Sequence, residues 1–219
     1  MIISERQVKL FGVKKVAERE WYRQNRLREP FIKNFNKVMT NYYRNLANEI
    51  NNTWQTRSTF LIDLDLNRNQ KVLQNIFRVQ YTVIANSFKN YALDRMQNVK
   101  DFDSEFDRKL NLYIEENVAI MVTDINETTR NRIKNVINSS YNDGLSTEET
   151  GNALRNTILG FGAYRANLIA RTEVHRTASW ANETVAENMN ISGTQKEWIA
   201  IQDARTRATH SIASGQRIP

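Results

Sequence analysis

The side chains with the most chemical potential lie toward the C-terminal end of the chain. Asp203, Arg205, Arg207 and His210 fall within eight residues of one another. A guanidinium can grip a carboxylate through two parallel hydrogen bonds, so such a cluster can lock an irregular loop in place. Upstream, the run Ile169-Ala170-Arg171-Thr172-Glu173-Val174-His175-Arg176 places Arg171, Thr172 and Glu173 on a helix that could extend this network. Read this way, the residues form a structural clasp between loop and helix. Arg205 and Arg207 could instead contact an anion. A metal or catalytic pair of Asp203 and His210 is the weakest reading, because one imidazole and one carboxylate make a poor ligand set. His175 reads as a partly exposed helix residue.

The rest of the sequence offers little catalytic machinery. There is no Cys and there are two His, so thiol chemistry and Cys-ligated zinc are excluded, and nucleophile–base pairs are hard to assemble. No Gly-x-x-x-x-Gly-Lys-Ser/Thr, Gly-x-Gly-x-x-Gly or His-Glu-x-x-His run occurs. Gly160-Phe161-Gly162 lacks a preceding strand and reads as a turn between helices, not a phosphate cradle. The expectation is a protein without catalytic residues, metal or cofactor.

These residues need a scaffold, and the composition says which kind. Of 219 residues, 40% are hydrophobic and 25% charged, enough for a packed core. With 7 Gly and 2 Pro, a turn-dense all-β protein is excluded. No apolar run approaches the roughly 18 residues that a membrane helix needs. The charges of Glu5 and Arg6 come too early for an export signal.

The prolines stand at 30 and 219, which leaves nearly the whole chain free to be helical. Phe31, Phe35, Val38, Met39, Tyr42, Leu46, Ile50 and Trp54 trace one helical stripe, with Pro30 suited to its first turn. A second stripe runs through Val72, Ile76, Val79, Val83, Phe88 and Met96. A third covers Phe106, Leu110, Tyr113, Ile114, Val118, Met121, Ile125, Ile133, Val136 and Ile137, and stops at Asn142-Asp143-Gly144. Residues 101–105 read as a turn and a capped helix start, and residues 59–66 as a short strand or an extended connection.

Beyond Gly144 the texture changes. Ser146 with Glu149 three residues on is a capping box opening a helix to about Leu159. After the Gly160–Gly162 turn, Ala163 to about Asn188 reads as another helix, residues 196–201 as a strand and 203–215 as a polar loop. The predicted fold is therefore mainly α: long N-terminal helices in a bundle or extended hairpin, then a small α+β C-terminal domain. The expected divisions are 1–30 as a basic, partly helical arm, 31–143 as the long-helix region and 144–219 as the α+β domain.

Residues 1–50 carry 11 basic and 5 acidic side chains, against 12 and 14 in 51–150 and 8 and 5 in 151–219. Positive charge at both ends suits contact with a polyanion. Lys14, Lys15, Arg19, Arg23, Arg26 and Arg28 are the candidate DNA-contacting residues, through phosphates and without base reading. Glu18, Glu20 and Glu29 among them also allow a solvated helix with internal ion pairs.

Taken in order, Arg165-Ala166, Ala170-Arg171-Thr172-Glu173, Gly193, Lys196-Glu197-Trp198, the run from Asp203 through Arg205 and Arg207 to His210, and Gly215-Gln216 form a pattern. Over roughly residues 140–216 it resembles the phage Mu protein F-like minor head proteins, the phage head morphogenesis family. Members usually continue after Gly-Gln with a Pro-containing segment and often an Asn-Cys-Arg-Cys end. This chain ends at Pro219, as a truncated, processed or short form would.

The resemblance implies a minor head protein of a tailed bacteriophage, held by the portal in several copies within the head near the portal vertex. It implies work in head morphogenesis and in DNA packaging or ejection, with scaffold or major capsid protein and packaged double-stranded DNA as further partners and no membrane. Arg171, Thr172, Glu173, Trp198, Asp203, Arg205, Arg207, His210 and Gly215 would then be the family's structural polar network. Two alternatives stand beside it: a stand-alone basic DNA-binding architectural protein, which rests on charge alone, and, since domains of this family can be fused to toxin modules, the N-terminal part of a toxin-fused enzyme.

Overall fold

A computed structural model describes residues 13–56, 62–94, 103–188, 196–197, 207–213 and 216–218. Four long helices dominate it: α1 (Val13–Thr56), α2 (Ile62–Leu93), α3 (Asp103–Asn142) and α4 (Thr147–Asn188). They pack as one bundle. α4 touches the other three and runs most extensively along α1, whereas α1 and α3 do not approach each other closely among the described residues. At 1.5 Å per residue the 44-residue α1 is about 66 Å long.

The core is built from the stripes. Phe35, Met39, Leu46 and Ile50 of α1, Phe106, Val118 and Ile125 of α3, and Leu154, Ile158 and Val174 of α4 are buried. Each such side chain contributes about 1.5–3 kcal/mol through removal from water. Edge-to-face ring contacts add direction, with Phe35 and Phe77 centroids 5.4 Å apart and Tyr43 and Phe161 5.6 Å apart.

Three features depart from the sequence expectation. The helix expected to begin at Pro30 begins at Val13 instead, and Pro30 lies inside it. Interior proline removes one backbone bond, yet packing on both sides holds the helix through it: Gln24 and Arg28 are buried before Pro30, and Phe35 and Met39 after it. The second stripe is also shifted. Leu66, Leu73, Phe77, Tyr81, Ile84 and Phe88 are buried, while Val72, Val79 and Val83 are about half exposed. Both rows fit a helical period, and the row with the larger rings takes the core. Finally, Gly160-Phe161-Gly162 does not interrupt α4. A Cβ at Gly162 would lie 2.7 Å from Cβ and Cγ of Tyr43, so this glycine lets α4 approach α1 closely.

The expected small α+β domain is accordingly not found among the described residues. Thr147–Asn188 is one 42-residue helix whose inner face is committed to the bundle. The β structure described is a two-residue antiparallel pair, β1 (Lys196–Glu197) with β2 (Arg217–Ile218), too short to form a layer. Within the run expected to be a polar loop, Ala208–Ala213 forms a short helix, α5. Ile62 already belongs to α2, so the later part of the 59–66 segment is helical and not a strand.

Two sequence signals hold in detail. The end of α3 is a Schellman turn: Gly144 adopts φ 67°, Gly144 N–H donates to Tyr141 O at 3.2 Å, and Leu145 N–H to Ser140 O at 2.9 Å. Next comes the capping box. Ser146 N–H donates to Glu149 Oε2 at 2.8 Å, and Glu149 N–H returns to Ser146 Oγ at 3.2 Å. The Ser146 hydroxyl, which donates to Glu149 Oε2 at 2.7 Å, and then the Ser146 N–H hold the exposed Glu149 carboxyl below its usual pKa.

Candidate functional site on the fourth helix

The Arg171–Arg176 run is helical, and helical geometry divides it. Ala166, Ile169, Ala170, Glu173, Val174, Thr177 and Ala178 face inward, whereas Arg171 and Thr172 are exposed and His175 is half-buried. Arg171 and Glu173 therefore do not share a face.

Glu173 sits in the core with a side chain 1% exposed. Tyr81 of α2 donates its hydroxyl to Glu173 Oε2 at 2.6 Å, and Arg176 Nη1 approaches the same oxygen at 3.5 Å. Around this pair, Tyr113 of α3 stacks on Trp180 at 4.5 Å between centroids, and its hydroxyl lies 3.4 Å from Thr177 Oγ1. Burial pushes the Glu173 carboxyl up, against the opposing pull of Tyr81 and Arg176. It raises the Tyr81 phenol too, with the Glu173 charge adding to the effect. Glu173 thus fastens α4 to α2, and Thr177 one turn on meets α3 through Tyr113. The loop residues Asp203 and Arg205, which the sequence reading joins to it in a clasp, lie outside the described residues.

On the outer side, Tyr164, Asn167, Leu168, Arg171, Thr172 and His175 line an open groove of about 600 Å³. Burial first, then the charges of Arg28 and Arg171, hold the His175 imidazole below its usual pKa. Among the described residues no group of three His, Asp or Glu could hold a metal ion.

Arg207 and His210 are exposed, the latter within α5. Trp198, Asp203, Arg205 and Gly215 lie outside the described residues. Lys14 and Lys15 fall on the first turn of α1, and Arg19, Arg23 and Arg26 are exposed along it.

Arg28 differs from its basic neighbours. It is buried, donates from Nη2 to Gln24 Oε1 at 3.1 Å and lies 5.6 Å from the Phe88 ring centroid. Burial lowers its pKa.

Arg28 closes a ladder that sequence reasoning missed. Gln24 Nε2 donates to Glu20 Oε1 at 3.2 Å, Tyr91 hydroxyl to the same Glu20 oxygen at 2.7 Å, and Asn182 Nδ2 to Gln24 Oε1 at 3.3 Å. It ties α1 to α2 and α4. The signal was present as Glu20, Gln24 and Arg28 at steps of four, leading into Phe31 and Phe35.

No helix among the described residues is long and apolar enough to cross a membrane. Comparison with protein-family models, with curated proteins and with solved structures finds no match to this chain.

Proposed function

We propose that the chain is a non-enzymatic minor head protein of a tailed bacteriophage. It binds the portal, enters the head in several copies and acts in head morphogenesis and in DNA packaging or ejection. The observation that carries this reading is the ordered pattern from Arg165-Ala166 through Ala170-Arg171-Thr172-Glu173, Lys196-Glu197-Trp198 and Asp203-x-Arg205-x-Arg207-x-x-His210 to Gly215-Gln216. A long helical bundle is a suitable body for a protein that works by contact, since apolar rows along its helices can bury area against a partner. Scaffold or major capsid protein are further partners in this reading, and the location is the head interior near the portal vertex, after assembly in the host cytoplasm.

The test is to image DNA-filled heads from cells producing a density-labelled form of the chain. The reading expects label inside the head at the portal vertex, retained after a 1 M salt wash. Label spread over the outer shell, or particles without the chain, would overturn it.

A second reading, a stand-alone DNA-binding architectural protein, draws on one observation: Arg19, Arg23 and Arg26 stand exposed along α1 within a segment of net charge +6. It expects the free protein to bind duplex DNA, with affinity falling steeply with salt as counterions are released. Packaged DNA as a non-specific partner is common to both readings. Retention on heads in 1 M salt separates them.

A further inference from the structure

Among the apolar rows that the described bundle leaves exposed, two lie in surroundings of opposite charge. On α2, Val72, Val79 and Val83 are 48%, 49% and 50% exposed, and the partly buried Ile76 lies between them. Residues at these steps fall within one narrow strip, about 16 Å long at 1.5 Å per residue. Lys71 and Arg78 are exposed and seven apart, so they share one side of the helix, about a third of a turn from that strip. From Leu66 to Leu93, α2 carries four basic residues and no acidic one.

On α3, Leu112 and Ile120 are 49% and 58% exposed, with exposed Ala119 beside them. Glu115, Glu116, Asp124 and Glu127 are exposed around this row. From Asn111 to Thr129, α3 carries those four acidic residues and no basic one.

We propose that these rows are the two halves of one interface between copies of this chain: the valine strip of α2 on one copy packs against the Leu112–Ile120 face of α3 on the next. Charge decides the pairing. Two α2 strips face to face would bring Lys71 and Arg78 against their own kind, and two α3 faces would oppose four carboxylates to four others; like charges held close disfavour both. The α2–α3 pairing sets cations against carboxylates around an apolar centre. It cannot form within one molecule, because α2 and α3 already meet through their inner faces and both rows stay exposed. An interface joining different patches is head-to-tail, so copies close into a ring or continue as a filament and do not stop at a two-fold dimer. This inference stands independently of the phage reading.

Sedimentation velocity on the full chain tests it, from 5 to 200 μM in 50 mM and 500 mM NaCl. Concentration-dependent assembly is expected, weakened about tenfold at the higher salt. Val79→Asp on α2 and Leu112→Asn/Ile120→Asn on α3 should each leave monomers, with helical circular dichroism unchanged because all three sites are exposed. An equimolar mixture of the two variants should give dimers and nothing larger, since one intact α2 strip then meets one intact α3 face. A wild-type chain that stays monomeric at 200 μM in 50 mM NaCl, a mixture that stays monomeric, or assembly abolished by one variant and untouched by the other would each overturn the proposal.

Discussion

The inner and outer faces of α4 share one stretch of sequence and have different physical fates. Inward, Glu173 accepts a 2.6 Å hydrogen bond from Tyr81, and Thr177 lies beside Tyr113. Outward, two residues before Glu173 and two after it, Arg171 and His175 line an open groove. Neighbours in sequence that look like one polar cluster are split by the helix into a structural fastening and a surface. What each can do follows from its face and not from its residue type.

The largest expected effect breaks this comparison on its inner side. Glu173→Ala leaves the Tyr81 hydroxyl buried without its acceptor and should cost about 2 kcal/mol. Arg171→Ala, on the exposed face, should change stability by less than about 0.5 kcal/mol. Urea unfolding followed by circular dichroism measures both. Equal losses would show that the two residues belong to one network after all.

The glycines repeat the contrast. Gly162 faces Tyr43, and an added methyl group would meet it at 2.7 Å; at Gly160 nothing lies within 4 Å. Gly162→Ala should destabilise by about 1–3 kcal/mol through overpacking. Gly160→Ala should stabilise by about 0.5–1 kcal/mol, because alanine gives up less backbone entropy in a helix. Thermal melts of the two variants should therefore move in opposite directions.

The smallest effects are in pH. The fold raises the Glu173 carboxyl above its usual 4.5, so its contribution is full below 4.5 and is lost as pH rises through the raised value. The stability of wild type relative to Glu173→Gln should fall over that window and then level off. His175 runs the other way. Its pKa is depressed from 6.5, so its contribution is present above 6.5 and lost as pH falls through the depressed value. A His175→Gln variant should lack that acid-side loss in denaturant titrations at successive pH values.

How much of this was legible in the sequence depends on which physical rule decides each element. The end of α3 and the start of α4 are local chemistry: Gly144 and the Ser146–Glu149 box act within a few residues, and both read correctly. The stripes of α1 and α3 were visible because each helix has a single dominant apolar row. α2 has two, and choosing Leu73, Phe77 and Tyr81 over Val72, Val79 and Val83 depends on the volume that the neighbouring helices leave open. Pro30 and Gly160–Gly162 are ordinarily helix breakers, and tertiary packing overrode both. At the candidate site, Arg171 and His175 were named from the sequence as polar helix residues. That Glu173 turns inward required knowing that Tyr81 waits for it, 92 residues away in the chain.

Histidine titration tests the two-faced account of α4 most directly. The chain has two His, so the ring signals of His175 are readily assigned in a nuclear magnetic resonance titration. The account predicts a His175 pKa below 6.5 that rises when Arg171 is changed to Ala, because the Arg171 charge helps to hold it down. Glu173→Gln should leave it in place, since that carboxyl faces the core. A His175 pKa above 6.5, or one that follows Glu173 and ignores Arg171, would contradict the division of the helix into a buried fastening and a cationic outer surface.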